Sequence, residues 1–414
     1  MITNLVEGTK IKCQQYWPEG GAQGFGPFQI TVTDQQTLAD YTLRRILVQL
    51  KGSSERPLNV SQFHFTAWPD HGVPDYATPI LTFHRRVMKE HKSGPIVVHC
   101  RTSQSRDQYI FIHDAILEAV TCGDTQVESG DLRKILGRLQ RRDQSGRTDM
   151  EIQFSVLEQV SPNPQDAKVS VALKHPKKNR SKNFLPLDKW RVLIKGESPD
   201  YINASVAHGY KQQRAFIIAQ NPMQSTARDF WKIVCDRKCG VLVMLCDLVE
   251  TGKETCYQYW PSSGSITVGE FTVDLIQEER LSGFTIRNFG VYDEKSNKSH
   301  QVTQFHITNW APDGNCSNIK TVTDVIEEVG KVQRRTGNHP IMVHCSDTVS
   351  RSGMFCAIAT TIERCKTEGV VDVFQVVKAL RVQKPGAVCT VLQYRIIFEA
   401  VLEYLDSFAL YSNF

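Results

Sequence analysis

Apolar runs of strand length alternate along this chain with longer stretches of helical spacing. Val241–Leu248 (VLVMLCDL) is a short apolar run, and PIMVHC, ending at Cys345, reads as a buried strand. GEFTVDLI, FTIRNFGVYD and HQVTQFHITNW alternate only in part, as half-buried strands do. Thr321–Arg335 carries its apolar residues at helical spacing. Further helices are predicted near Met354–Arg364, Val371–Gln383 and Val391–Phe408. The first third predicts strands within Ile30–Leu50, a helix at Thr78–Glu90, a strand ending in VVHC and a last helix from Gln108. The fold class is α/β (α+β): a mixed, twisted sheet flanked by helices.

The pattern occurs twice. QQYWP (Gln14–Pro18) returns as YQYWP (Tyr257–Pro261), FHFTAWPD as FHITNWAPD, and GPIVVHC as HPIMVHC. The offset is 243 from Trp17 to Trp260, 242 from Trp68 to Trp310 and 245 from Cys100 to Cys345, then 285 from Tyr109 to Tyr394. Copy 1 therefore lacks 40 residues just after its Cys. It also has only 16 residues before its Trp17, where copy 2 has about 95 before Trp260. We expect a truncated first domain over 1–123, a linker over 124–164 and a second domain over 165–414. The charge run Arg141–Arg147 (RRDQSGR) reads as part of the solvated connection, with a short leading helix beside it. Stripped of its front and central helices, copy 1 is expected to leave sheet faces uncovered and to be unstable alone.

Composition narrows the classes. Hydrophobic residues make up 41% and charged residues 22%, an ordinary globular balance. No run of about 18 apolar residues exists, so no direct membrane insertion is expected, and the N-terminus lacks a signal-peptide core. The 12 cysteines form no disulfide-like framework and point to a reducing compartment. The Cys235–Cys239 spacing has no matching second pair, so no metal and no cofactor are expected. Basic and aromatic residues do not interleave, which excludes nucleic acid.

The chemistry concentrates at Cys345, followed after five residues by Arg351, Ser352 and Gly353, between a strand and a helix. A loop closing on a helix N-terminus turns backbone N–H groups inward and cradles an anion. The same field favours thiolate at Cys345, which would make it a nucleophile and sensitive to peroxide. Arg351 suits two phosphate oxygens side by side.

With these motifs the chain resembles the tandem phosphatase region of a receptor-type protein tyrosine phosphatase, over nearly its whole length. The resemblance implies a cysteinyl-phosphate mechanism on phosphotyrosine proteins. It assigns the catalytic set Cys345, Arg351, Ser352, Gln393 and the general acid Asp313, with Glu250 in support. It assigns phosphotyrosine binding to Asn179, Arg180, Ser181 and Asn183. In copy 1 it finds a degenerate set, Asp70 and Cys100, with the pair Glu7 and Lys12 kept; Arg106 falls at the five-residue spacing, but in a loop without Gly and followed by Asp107, and reads as accidental. Other phosphatase domains are a further class of partner. The implied location is cytoplasmic, on the inner side of the plasma membrane if the chain is part of a full receptor.

Copy 2 departs from the family where turnover is decided. Its loop carries Asp347, Thr348, Val349 and Ser350 in place of Ala-Gly-x-Gly. The acid loop Trp310, Ala311, Pro312, Asp313 is one residue longer than WPD. Ser181 stands for the aromatic that stacks on the phenol, Asn183 for the Asp that holds the substrate backbone, Cys389 for the water-positioning Gln, and Thr255 for the Lys of the glutamate–lysine pair. Three readings follow: a phosphotyrosine-binding or regulatory pseudophosphatase with little or no hydrolysis, a weakly active phosphatase working through Cys345, and a nonfunctional truncated isoform.

Overall fold

Partly alternating residues between 22 and 65 form four antiparallel strands, β1 (Ala22–Phe25), β2 (Phe28–Thr37), β3 (Tyr41–Leu50) and β4 (Leu58–Phe65), in the order β1-β2-β3-β4. The computed structural model describes all residues except 8, 70–71, 93, 101–105, 309, 312–313, 317 and 412–414, and omits the side chains of Glu7 and of residues 408–411. The chain divides into two compact units, 1–124 and 125–414.

In the first unit, α1 (Thr78–Glu90) has Pro79 as its second residue, where a missing N–H is no loss in a first turn. It lays Phe83 against Tyr41, Phe63 and Phe65, with ring centroids 5.5, 6.2 and 5.1 Å away. The helix α2 (Arg106–Cys122) buries only Phe111 and Ala115, near Trp68. The expected strand ending in VVHC does not form: residues 95–100 carry no strand, and Val97 and Val98 are 80% and 67% exposed. The reason is visible in the second unit, where the equivalent strand is held between two parallel neighbours.

That second unit begins with helices in the segment expected to be a linker. The helix α3 (Leu132–Leu139) buries Leu132, Leu136 and Leu139, and α4 (Asp149–Val160) buries Met150, Phe154 and Leu157. Both triplets follow i, i+4, i+7 spacing, a single helical stripe. Thr148 and Glu151 close a capping box at the start of α4. The run Arg141–Arg147 is a tight turn, in which Asp143 accepts the N–H groups of Ser145 and Arg147. These polar turn residues mask two short apolar stripes from a reading by composition.

A nine-stranded sheet follows, built from β5 (Arg191–Leu193), β6 (Tyr201–Ala207), β7 (Phe216–Gln220), β8 (Val241–Met244), β9 (Ser265–Val268), β10 (Phe271–Arg280), β11 (Phe284–Asp293), β12 (Lys298–Ile307) and β13 (Ile341–Cys345). Its order is β9-β10-β11-β12-β8-β13-β7-β6-β5. The β12-β8-β13-β7 core is parallel and both flanks are antiparallel. Every residue of β7 and β8 is buried, as a sheet covered on both faces requires. The helix α5 (Ala227–Asp236) buries Phe230, Trp231, Ile233 and Val234 in the main core. The remaining helices are α6 (Ile319–Thr336), α7 (Arg351–Glu368), α8 (Val373–Gln383) and α9 (Val391–Tyr411). The last helices hold α4: Tyr394 donates to Gln153 Oε1 at 2.7 Å, and Arg381 lies over the Phe154 ring.

The internal repeat reaches individual atoms. The register shift at Val32/Asp34 recurs at Leu275/Gln277. Arg44 donates to Gln62 Oε1 at 2.9 Å and lies over Trp17; Arg287 donates to Gln304 Oε1 at 2.9 Å and lies over Trp260. His64 donates to the carbonyl of Thr3, and His306 to that of Cys246.

Amide hydrogen exchange tests the loss of the strand in the first unit. Residues 341–345 should exchange at least about a thousandfold more slowly than residues 96–100, the span from ladder-held to free backbone. Equal protection of the two segments would show that a ladder forms in the first unit after all.

Candidate active site

The strand β13 ends at Cys345 and α7 begins at Arg351, so residues 346–350 must reverse the chain in one short loop. Parallel neighbours β8 and β7 anchor the strand on either side, and Asn221 N–H donates to the Cys345 carbonyl at 2.9 Å. Just before it, His344 is fully buried. Its Nδ1 bonds Asn221 Oδ1 at 2.8 Å, and its Nε2 accepts from Tyr259 OH at 2.9 Å, which in turn accepts from Gln304 Nε2. Burial holds the imidazole down to about 3, so it is neutral at physiological pH.

Two N–H groups of this loop already have an occupant. The Asp347 carboxylate accepts from Val349 N–H at 3.0 Å, Ser350 N–H at 3.2 Å and the Ser350 hydroxyl at 2.5 Å. It also accepts the Cys345 thiol hydrogen at 3.2 Å. This is the Asx habit of an aspartate bonding the backbone two and three residues on. The charge noted in the sequence therefore points into the cradle and not toward solvent. One of the two lost glycines has the backbone it would favour: Thr348 sits at φ 67°, buried, while Ser350 has φ −74°. The left-handed conformation costs Thr348 roughly 1–2 kcal/mol.

This geometry works against the expected thiolate. Cys345 is fully buried, and burial, then the Asp347 carboxylate, push the thiol up to about 12 against the smaller pulls of Arg351 and Ser352. A thiol is a poor nucleophile, since the thiolate is the reactive form. Nearby, Lys384 Nζ donates to the Phe184 carbonyl at 2.7 Å, and burial draws this ammonium down to about 7 although Cys345 and Asp347 pull it up.

Arg351 is engaged as well. Its two terminal nitrogens grip Glu250 at 2.6 and 3.0 Å, and they also donate to the Trp310 carbonyl at 3.0 Å and to Ser346 Oγ at 3.2 Å. Its Nε–H has no partner among the described residues. Glu250 is held in turn by Asp247 N–H, and the Thr255 hydroxyl ties the base of the same hairpin to Asp247 and Leu248.

The other expected residues divide into two groups. Gln393 is buried beside this centre: its Oε1 accepts Cys389 N–H at 2.7 Å, and a Cβ on Gly314 would stand 2.5 Å from its Nε2. Cys389 donates to the Gly386 carbonyl, and burial with Asp347 raises its thiol to about 11. Ser352 is buried on the first turn of α7. Asn179 and Arg180 face the protein interior. Asn179 bonds the Ala172 and His175 carbonyls and Tyr201 OH; Arg180 bonds the carbonyls of Asn221, Pro222 and Glu254. Ser181 and Asn183 are exposed, joined by one bond from Asn183 N–H to Ser181 Oγ. Asp313 and Asp70 lie outside the described residues. Cys100 is exposed and Arg106 opens α2, on either side of the undescribed 101–105. Sequence reasoning missed the inward turn of Asp347, Lys384 and the His344–Asn221 link. The Asx preference of an aspartate ahead of a helix start was the available signal for the first. Among the described residues no group of three His, Cys, Asp or Glu side chains is placed to hold a metal, and no helix is long and apolar enough to cross a membrane.

A sequence model of the protein-tyrosine phosphatase family matches residues 1–160 and 175–403. Receptor-type tyrosine-protein phosphatase alpha of Homo sapiens is 36% identical over the whole chain, which covers 58% of that protein. Receptor-type tyrosine-protein phosphatase F of Danio rerio is 38% identical and tyrosine-protein phosphatase Lar of Drosophila melanogaster 37%, again over the whole chain but over only 24% and 23% of those proteins. The first of these alignments runs over 467 positions against 414 residues, so at least 53 positions have no counterpart in this chain.

Thiol chemistry tests the electrostatics. At pH 7.5 iodoacetamide should modify Cys345, the one cysteine of the tryptic fragment 336–351, at least ~100-fold more slowly in the folded chain than in urea. A raised thiol pKa favours the folded state fully below the unfolded value of about 8.5. That contribution is lost as pH climbs from there through about 12. Modification as fast as in urea would show that Cys345 is a thiolate.

Proposed function

The chain belongs to the protein-tyrosine phosphatase family, and from this we propose that residues 125–414 form a regulatory, phosphatase-like domain that hydrolyses phosphotyrosine little or not at all. One observation carries the reading: the Asp347 carboxylate takes two of the loop N–H groups that a phosphate would need, those of Val349 and Ser350. At about 5 Å and an effective dielectric of about 20, that charge repels each unit of an incoming anion by roughly 3 kcal/mol. The protonated Cys345 supports the same conclusion. Nothing about the fold alone dictates it, since one fold hosts both active and inactive sites.

The ligand class remains the phosphotyrosine proteins that the family implies. A phosphotyrosine entering here has to displace Asp347, after which Arg351 and the loop N–H groups would grip the phosphate. In that state Cys345 is the nucleophile, Asp313 the general acid and Ser352 and Gln393 assist. Asn179 and Arg180 then act by holding the segment that presents Ser181 and Asn183. Weak hydrolysis through Cys345 is the second reading. It is favoured by the retained Arg351–Glu250 pair, which keeps the guanidinium beside the loop. The receptor-type names of the relatives support a place on the cytoplasmic side of a membrane.

Turnover of a phosphotyrosine peptide by the full chain, beside Cys345→Ser and Cys100→Ser, separates the readings. We expect no hydrolysis above the Cys345→Ser background. Activity lost only with Cys345→Ser would make the domain an enzyme.

Asp347→Ala tests the cause. Removing the carboxylate should tighten inorganic phosphate binding, measured by calorimetry, by roughly 100-fold, the equivalent of about 3 kcal/mol. Unchanged phosphate affinity would mean that Asp347 does not close the cradle.

A further inference from the structure

Two buried thiols stand at the neck of the segment that carries Glu250. Cys246 lies just after β8, and Cys256 just after the short hairpin that pairs Val249–Glu250 with Lys253–Glu254. Burial, and then the neighbouring Cys246 thiol, push the Cys256 thiol up. Asn221 spans the neck: its Nδ2 donates to Cys246 Sγ at 2.8 Å and to the carbonyl of Thr255, the residue before Cys256, at 2.8 Å. The main chain closes there too, since Thr255 N–H and Cys256 N–H both donate to the Leu248 carbonyl, at 2.9 and 3.3 Å. Beyond this neck sits Glu250, the carboxylate that holds Arg351.

The first copy supplies a natural comparison. Thr3 stands where the second copy has Cys246, and Cys13 where it has Cys256, both at an offset of 243. The neck is the same there: Lys12 N–H and Cys13 N–H both donate to the Leu5 carbonyl. The second copy alone places a thiol on each side.

We propose that Cys246 and Cys256 form a dithiol–disulfide pair that staples the neck of the Glu250 hairpin when a peroxide oxidises it. One sulfur, as thiolate, attacks a peroxide oxygen and breaks the O–O bond, giving a sulfenic acid and one water. The second sulfur displaces the hydroxyl as another water, and the S–S bond forms. Both sulfurs are oxidised, the peroxide is reduced, and the two thiol protons end in the two waters. A thiol reductant reverses the step. Closing the neck covalently restricts opening of the hairpin and keeps Glu250 on Arg351. Oxidation thus holds the arginine away from any phosphate. Because the two thiols are buried, the reaction proceeds through local opening of the hairpin.

The test uses the full chain carrying Cys345→Ser, so that the loop cysteine cannot compete. The chain is treated with hydrogen peroxide, its free thiols are blocked in denaturant without reductant, and it is digested with trypsin. Cys246 lies in fragment 239–253 and Cys256 in fragment 254–280, so the bond joins two fragments. We expect the joined species, linked through Cys246 and Cys256 on fragmentation, to disappear on reduction and in Cys246→Ser or Cys256→Ser versions. Amide exchange across 247–255 should slow at least about tenfold in the oxidised chain. Recovery of the two cysteines separately blocked, under conditions that oxidise the exposed Cys100, overturns the proposal. A joined species linked through Cys239 overturns it equally, as does a bond from either thiol to Cys345 in the unsubstituted chain.

Discussion

The parallel ladder on both sides of Ile341–Cys345 is the constraint on which the rest of this molecule depends. With β8 on one side and β7 on the other, the strand is buried on both faces and ends at a fixed point. Only then can five residues turn into α7 and bring the N–H groups of Val349 and Ser350 onto one carboxylate. The first unit shows what happens without that ladder. Its PIVVHC segment has nearly the same residues, yet no strand forms and its valines lie in solvent. Backbone polar groups need partners, and a strand without neighbours has none to offer. The difference lies in what flanks the motif and not in the motif.

What the loop holds depends on a side chain two residues past the cysteine. A loop of inward N–H groups attracts any carboxylate within reach, and Asp347 is the nearest. Burial, and then the same charge that completes the hydrogen bonding, push the Cys345 thiol up. Arg351 is likewise satisfied from inside, by Glu250 and the Trp310 carbonyl. The site is thus an anion cradle whose anion is part of the chain. Each of these bonds is internal to the chain and quiets the loop.

The two copies keep their common ancestry in polar detail more than in outline. Arg44 with Gln62 and Trp17 repeats Arg287 with Gln304 and Trp260, and Tyr16 bonds His99 as Tyr259 bonds His344. A buried arginine cannot be deprotonated and must be paired, so the groups around it form one unit that resists separate change. Apolar residues of the first unit are less well covered, as the exposed Leu117 and Val120 on α2 show.

The sequence by itself determined the duplication, the mixed α/β class, most helices of the second unit and the pairing of Cys345 with Arg351, because periodicity and spacing are local properties of the chain; Glu250 joined them only through the resemblance to the phosphatase family. The segment 124–164 escaped such a reading: its two apolar stripes are three residues each and lie among charges, and only packing against α8 and α9 distinguishes them from a solvated connection. Only the tertiary structure decided that PIVVHC is not a strand, that Asn179 and Arg180 turn inward, that Asp347 points into the cradle and that Cys246 meets Cys256. Each of these rests on which groups from distant parts of the chain share one small volume. Burial and charge there, and not residue type, set the protonation of Cys345.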